Sequence, residues 1–182
     1  AGAEIIETNS FGANRAKLTQ YGLETQVNDI NRAAAALAKE VARDAGRPVL
    51  VAGAVGPLGV RIEPFGPTSV DEARAHFREQ LEGLQAGGAD IFLLETFADL
   101  HEIEQAIRAA REVSSTTPVI AQMTVGADGL TPYGATPEDI ARSLDAWGAD
   151  VIGLNCSVGP QIILEAIEKM VPHTNKKLSA QP

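Results

Sequence analysis

The chain has 182 residues, 45% of them hydrophobic but only 4% aromatic, and 24 acidic against 15 basic side chains give a formal net charge of −9. No basic face is available for the phosphates of a nucleic acid or for an anionic membrane surface. No apolar run approaches the ~20 residues that span a bilayer, no secretory leader is visible, and one cysteine cannot form an internal disulfide. Nucleic-acid and membrane partners are therefore excluded, and a cytoplasmic location is the default.

Taken in chain order, short apolar strands alternate with long amphipathic helices. The first strand covers residues 4–9. It is followed by a helical pattern over 22–45, a strand over 49–55 and a helix over 70–86, for which Ser69 and Glu72 fit a capping box. The third strand covers 90–96 and leads through Asp99 and Glu102, a second candidate capping box, into a helix over 100–113. A strand over 119–125 precedes a helix over 137–147, where Thr136 is the cap and Pro137 takes the first helical position. The strand over 151–156 stops at Asn155 and Cys156. A helix over 160–171 and a polar loop through His173 then lead to a last strand over 177–181. Gly2-Ala3-Glu4-Ile5, Gly88-Ala89-Asp90-Ile91 and Gly148-Ala149-Asp150-Val151 repeat one phrase at three strand entries, with glycine where a preceding helix needs a left-handed residue.

Alternation of this kind implies parallel β/α units. Six such strands could form an open doubly wound sheet. The gathering of polar residues at strand C-terminal ends fits a (β/α)8 barrel better, and chemistry in that fold sits on the loops after the strands. A complete barrel takes about 250 residues, and the first glycine joint has no helix before it. The expectation is one domain over 1–182, an incomplete barrel comprising strands two to seven. Such an arc exposes edges at its first and last strands, so it is expected to associate through them or to belong to a longer polypeptide.

The strand ends supply Glu7, Thr8 and Asn9, then Gly53 to Gly59, then Glu95 and Thr96, then Gln122, Met123 and Thr124, then Asn155 and Cys156, and last Gln181. No histidine joins them: His76 and His101 fall in helices. A zinc-protease helix is ruled out because Gln105 stands where His101-Glu102 would require a second histidine. Each candidate has an ordinary reading. A lone strand-end cysteine is commonly a small buried residue. Glu95 could favour a helix N-terminus or pair with an arginine, Asn9 and Asn155 could satisfy backbone groups, and Glu7 reads as support for neighbours. The Gly53–Gly59 loop resembles a phosphate cradle only loosely.

Ala3-Glu4-Ile5-Ile6-Glu7-Thr8-Asn9-Ser10-Phe11-Gly12-Ala13-Asn14, Leu93-Leu94-Glu95-Thr96 and Gly153-Leu154-Asn155-Cys156-Ser157-Val158-Gly159-Pro160 together resemble the homocysteine S-methyltransferase family. The resemblance extends through Ile120-Ala121-Gln122-Met123-Thr124 to Leu178-Ser179-Ala180-Gln181-Pro182, and its middle motifs look like the form fused to a methylenetetrahydrofolate reductase. It implies a zinc-dependent barrel that transfers a methyl group to homocysteine and yields methionine. It makes Cys156 one of three zinc thiolates and Glu95 a holder of the homocysteine amino group, with Asn9 and Asn155 as further substrate-binding candidates. The family's other two zinc ligands are a cysteine pair after the eighth strand, and this chain has no second cysteine. The expected partners are homocysteine, a small methyl donor such as methyl-folate, S-methylmethionine, betaine or S-adenosylmethionine, and a fused reductase domain or further copies of the chain. The chain by itself is expected to be an inactive fragment. Two other readings stay open: a non-catalytic barrel fragment that associates through its sheet edges, and an aldolase- or synthase-like barrel with Glu95 as base. The absence of a lysine or histidine at the strand ends weakens the second.

Overall fold

The computed structural model describes residues 2–182. Six parallel strands form one sheet in sequence order: β1 (Ile5–Glu7), β2 (Leu50–Val55), β3 (Ile91–Phe97), β4 (Val119–Met123), β5 (Val151–Asn155) and β6 (Lys177–Gln181). The helices between them are α1 (Arg15–Leu18), α2 (Val27–Asp44), α3 (Val70–Ala86), α4 (Leu100–Val113), α5 (Pro137–Ala146) and α6 (Pro160–Met170), with 3-10 turns at Thr19–Tyr21 and Val171–His173. Among the described residues no helix is long and apolar enough to cross a membrane.

The sheet is curled. Six flat strands spaced by about 4.8 Å would hold the first and last some 24 Å apart. Instead the Gln181 side-chain amide on β6 donates to the Glu7 carboxylate on β1 at 3.3 Å. The arc of the expected barrel is thus present, with β1 and β6 as its edges.

Period-two alternation divides every strand between two environments. Val55, Phe92, Leu94, Val119, Ala121, Met123, Ile152 and Leu154 point outward and are buried beneath the helices, where Phe77, Leu81, Leu84, Ile103, Ile107, Ile140 and Leu144 meet them in the main core, while outward Val51 packs with Ala38 and Ala42 of α2 in a smaller cluster. The inward positions carry a smaller apolar group, Ala52, Ile91 and Leu93 with Ile120. Beside that floor a layer of polar side chains lines the lumen.

The three glycine joints do what their sequence requires: Gly2, Gly88 and Gly148 have φ of 88°, 93° and 87°. Two of them also carry an acidic clamp. Asp90 accepts the backbone N–H of Val51 at 2.8 Å and pairs with Lys39 of α2, while Asp150 accepts the N–H of Val119 at 2.8 Å and pairs with Arg111 of α4. The repeated acid after Gly-Ala thus pins its own strand entry to the preceding strand and to the helix that leads into that strand. This closes the end of the sheet opposite the functional loops.

Two expectations are corrected. The helix expected over 22–45 starts later, as α2 at Val27, and is preceded by α1 and a 3-10 turn that the pattern did not indicate. Asn14 caps α1 by accepting from Lys17 N, and Gly22 in the left-handed conformation (φ 66°) ends the turn before α2 begins. A four-residue helix is too short to show a period. Asp99 and Glu102 are not a capping box, because Asp99 accepts from His101 N while Glu102 turns away to accept the N–H of Leu58 at 2.8 Å. With Gly56 N donating to the Phe11 carbonyl, two amides of the 53–59 loop are consumed internally, so that loop is not a phosphate cradle.

Glu102 is 7% exposed, and burial pushes its carboxyl up to about 7, partly offset by the Leu58 hydrogen bond. A carboxyl whose pKa is higher folded than unfolded favours the fold while protonated, and that contribution disappears as pH rises from about 4.5 through 7. Glu102→Gln keeps an acceptor for Leu58 and removes the titration. Denaturant unfolding should show the variant stabler than the parent by on the order of 1–3 kcal/mol at pH 8, with the difference closing toward pH 4.5.

Candidate active site

The polar residues converge at the C-terminal ends of β3, β4 and β5, and Asn155 organises them. Its side chain, 2% exposed, spans from β5 across β4 to β3. The Asn155 carbonyl oxygen accepts the N–H of Thr96 at 2.8 Å, and its amide nitrogen donates to Thr96 Oγ1 at 2.8 Å, Glu95 Oε2 at 3.4 Å and Cys156 Sγ at 3.4 Å. One amide therefore holds the carboxylate of β3 and the thiol after β5 at a single mouth.

The backbone there is strained in the way this clamp requires. Thr96, Cys156 and Ser157 have φ of 64°, 59° and 66°, a left-handed region that costs a non-glycine residue about 1–2 kcal/mol. A β-branched threonine is especially disfavoured there. Two hydrogen bonds from one amide keep Thr96 in place, and the pairing of β3 with β4 shifts register between Leu94 and Phe97 at the same point. Beyond β5, Cys156 N donates to the Gln181 carbonyl at 2.9 Å, and Thr124 Oγ1 donates to Ser157 Oγ at 2.6 Å. The turn that presents Cys156 is thus tied to β6 and to the end of β4. Cys156 is free and exposed.

Glu95 is half-buried on the inner face. Burial pushes its carboxyl up to about 7, and the nearby charge of Glu7 adds to the shift. Among the described residues neither glutamate has a Lys, Arg or His partner at ion-pair distance. The arginine reading of Glu95 therefore has no support. Two carboxylates facing one lumen without a cation make a place suited to a positively charged ligand group.

Of the residues singled out in the sequence, Asn155 contacts both Glu95 and Cys156. Asn9 lies just after β1, at the same end of the sheet, with an exposed side chain. Glu7 contacts Gln181 rather than Glu95 or Cys156. Sequence reasoning did not find the clamp on Thr96, because nothing in a threonine announces a left-handed backbone.

A thiolate is a donor that zinc accepts, yet one thiolate leaves three tetrahedral positions unfilled. Among the described residues no group of three or more His, Cys, Asp or Glu side chains could hold a metal ion. These residues alone do not make a zinc site.

The clamp carries a measurable stability. Asn155→Ala removes four hydrogen-bonding contacts and leaves the part-buried Thr96 N without that acceptor, so urea unfolding should show a loss of roughly 2–4 kcal/mol. Asn9→Ala, at an exposed position, should change stability by less than about 0.5 kcal/mol.

Comparison with known proteins agrees with this geometry. Methionine synthase of Mycobacterium tuberculosis is 31% identical over 189 aligned residues, covering all of this chain and 16% of that protein. Methionine synthase of Mycobacterium leprae is 30% identical with the same coverage. The chain thus spans about one sixth of the length of these curated relatives. Among solved structures, the metallated form of the homocysteine methyltransferase MmuM from Escherichia coli superposes with a TM-score of 0.84 at 22% identity, covering 98% of this chain and 66% of that one. Its apo form gives 0.76. At that identity the likeness establishes the fold, an incomplete α/β barrel. The family described as homocysteine S-methyltransferase matches the sequence over residues 1–182, and the chain belongs to that family.

Proposed function

We propose that these residues form part of an enzyme that transfers a methyl group to the thiol of homocysteine, giving methionine. The observation that carries the reading is the Asn155 clamp, which holds the Glu95 carboxylate and the Cys156 thiol at one mouth. Homocysteine has an ammonium group at one end and a thiol at the other. A site that takes it needs an anion for the first and an activating group for the second.

Glu95 serves as the anion. Its role is placement: by holding the ammonium it fixes the direction in which the substrate sulfur points, and converting a bimolecular encounter into an oriented one lowers the barrier. Asn155 keeps that carboxylate from swinging and gives Cys156 a fixed position beside it. Cys156 would supply one thiolate to a zinc ion whose other ligands lie outside the described residues, and such an ion, when bound, acidifies a thiol that coordinates it. In the transfer itself, the sulfur lone pair forms the new S–CH3 bond as the bond from methyl to donor breaks, with its electron pair leaving on the donor. The thiol proton departs to solvent.

An aldolase- or synthase-like reaction with Glu95 as base gains nothing from the geometry, because among the described residues no lysine or histidine lies at ion-pair distance from that carboxylate.

In the protein that carries these residues, Glu95→Gln is expected to raise the KM for homocysteine at least tenfold, the weight of a charge-assisted hydrogen bond of ~1.5–3 kcal/mol. Because the carboxyl must lose its proton to hold an ammonium, wild-type affinity should improve as pH rises through about 7, and this step should vanish in the variant. An unchanged KM and pH profile would contradict the assignment. A separate measurement concerns the metal. Elemental analysis of the 182-residue chain alone should find well under one zinc per molecule, and near-stoichiometric zinc that resists mild chelation would show that these residues bind it unaided.

A further inference from the structure

The barrel lumen holds a cavity of about 190 Å3, lined by Ile5, Ala52, Leu93 and Ile120 on its apolar side and by Glu7, Gln122, Ser179 and Gln181 on its polar side. Gln122 is 1% exposed. Its amide nitrogen donates to Ser179 Oγ at 2.8 Å, while its side-chain carbonyl oxygen, buried and lining this cavity, has no donor among the described residues.

The backbone is arranged to aim that amide. Gln122 sits on β4 opposite Gly153 of β5, which in turn sits opposite Ser179 of β6. A Cβ at position 153 would lie 2.0 Å from the Ser179 carbonyl oxygen and 2.5 Å from its hydroxyl. Only glycine leaves the gap through which Gln122 reaches across β5 to Ser179. That bond fixes the nitrogen side of the amide and leaves the carbonyl side without a partner among the described residues. On the neighbouring strand, the register break between Leu94 and Phe97 puts Gln122 opposite Glu95 and Thr96.

A buried carbonyl without a donor costs about 1–3 kcal/mol, and native structures carry few such groups. The Glu7 carboxylate lines the same cavity, and Glu95 stands across the register break on β3; neither is paired with a cation among the described residues. Three acceptors around one lumen, with no positive side chain among them, suit a ligand group that has several N–H donors and a positive charge. A primary ammonium has three.

We propose that Gln122 is a substrate-binding residue whose side-chain carbonyl accepts a hydrogen bond from the ammonium group of the amino-acid substrate, alongside Glu95. This rests on the homocysteine reading above and extends it, since it turns a single-point anchor into a two-point one that distinguishes an α-amino thiol from a thiol lacking nitrogen.

The test uses the protein that carries these residues and three thiols: L-homocysteine, 4-mercaptobutyrate, which lacks the amino group, and 3-mercaptopropylamine, which lacks the carboxylate. Gln122→Met preserves volume and removes the acceptor. It should weaken L-homocysteine and 3-mercaptopropylamine by about tenfold or more and leave 4-mercaptobutyrate unchanged. Ser179→Ala, which frees the amide to turn, should weaken the same two ligands by a smaller factor and keeps the test usable should Gln122→Met not fold. Equal weakening of all three, a loss confined to the carboxylate-bearing pair, or no change would overturn the proposal. A wild-type protein that binds none of the three thiols would instead overturn the homocysteine reading, and this proposal with it.

Discussion

A parallel sheet has two faces to cover, and this chain covers them by different means. Helices bury the outer face of β2 to β5, so outward side chains there are apolar, from Val51 and Phe92 through Met123 to Leu154. The inner face is covered only by curvature, which brings the edges β1 and β6 close enough for Gln181 to reach Glu7. Because inward positions face one another across a narrow lumen, polar side chains there must find partners among themselves or in a ligand. Much of the site follows from that constraint.

Some of the polar pairs are complete. Asn155 with Thr96 and Gln122 with Ser179 each bridge between strands, one by spanning β4 and the other by passing through the space left at Gly153. What stays incomplete is of one kind. The Glu95 carboxyl is raised toward neutrality by burial and by Glu7, and the Gln122 carbonyl has no donor among the described residues. Both are acceptors, and both would be relieved by the same positively charged donor. The strain at Thr96, Cys156 and Ser157 is held in the same layer, by the same amide and the adjoining turn. Stability is given up at the mouth and recovered at the opposite end of the barrel, where Asp90 and Asp150 pin strand entries with backbone and ion-pair contacts together.

That division of labour between the two ends is also visible in the loops. The loop after β2 is locked by Leu58 to Glu102 and by Gly56 packed against Phe11, so its amides serve structure rather than ligand. Lys17 is half-buried nearby, with its ammonium 4.8 Å from the centre of the Phe11 ring and its pKa lowered by burial. The end of β3 and the turn after β5, by contrast, present a half-buried carboxylate and an exposed thiol.

The order of elements and the barrel arc were legible in the residues themselves, because hydrophobic period and glycine position are local properties. Residues 177–181, 70–86 and 100–113 form the elements their patterns predict, and Gly88 and Gly148 adopt the left-handed conformation that a helix end before a strand demands. The motifs ending at Glu95, Asn155 and Cys156 also fall together at one end of the sheet, since parallel strands must present equivalent ends together. What the sequence could not disclose were contacts between positions far apart in the chain. Asn155 and Thr96 are 59 residues apart, Gln122 and Ser179 are 57, and Gln181 and Glu7 are 174. Whether an inward amide is satisfied, and whether a carboxyl lies near a second carboxyl or a lysine, depends on the register of neighbouring strands and on the curl of the sheet. Both arise from packing of the whole arc, and so only the tertiary structure decided them.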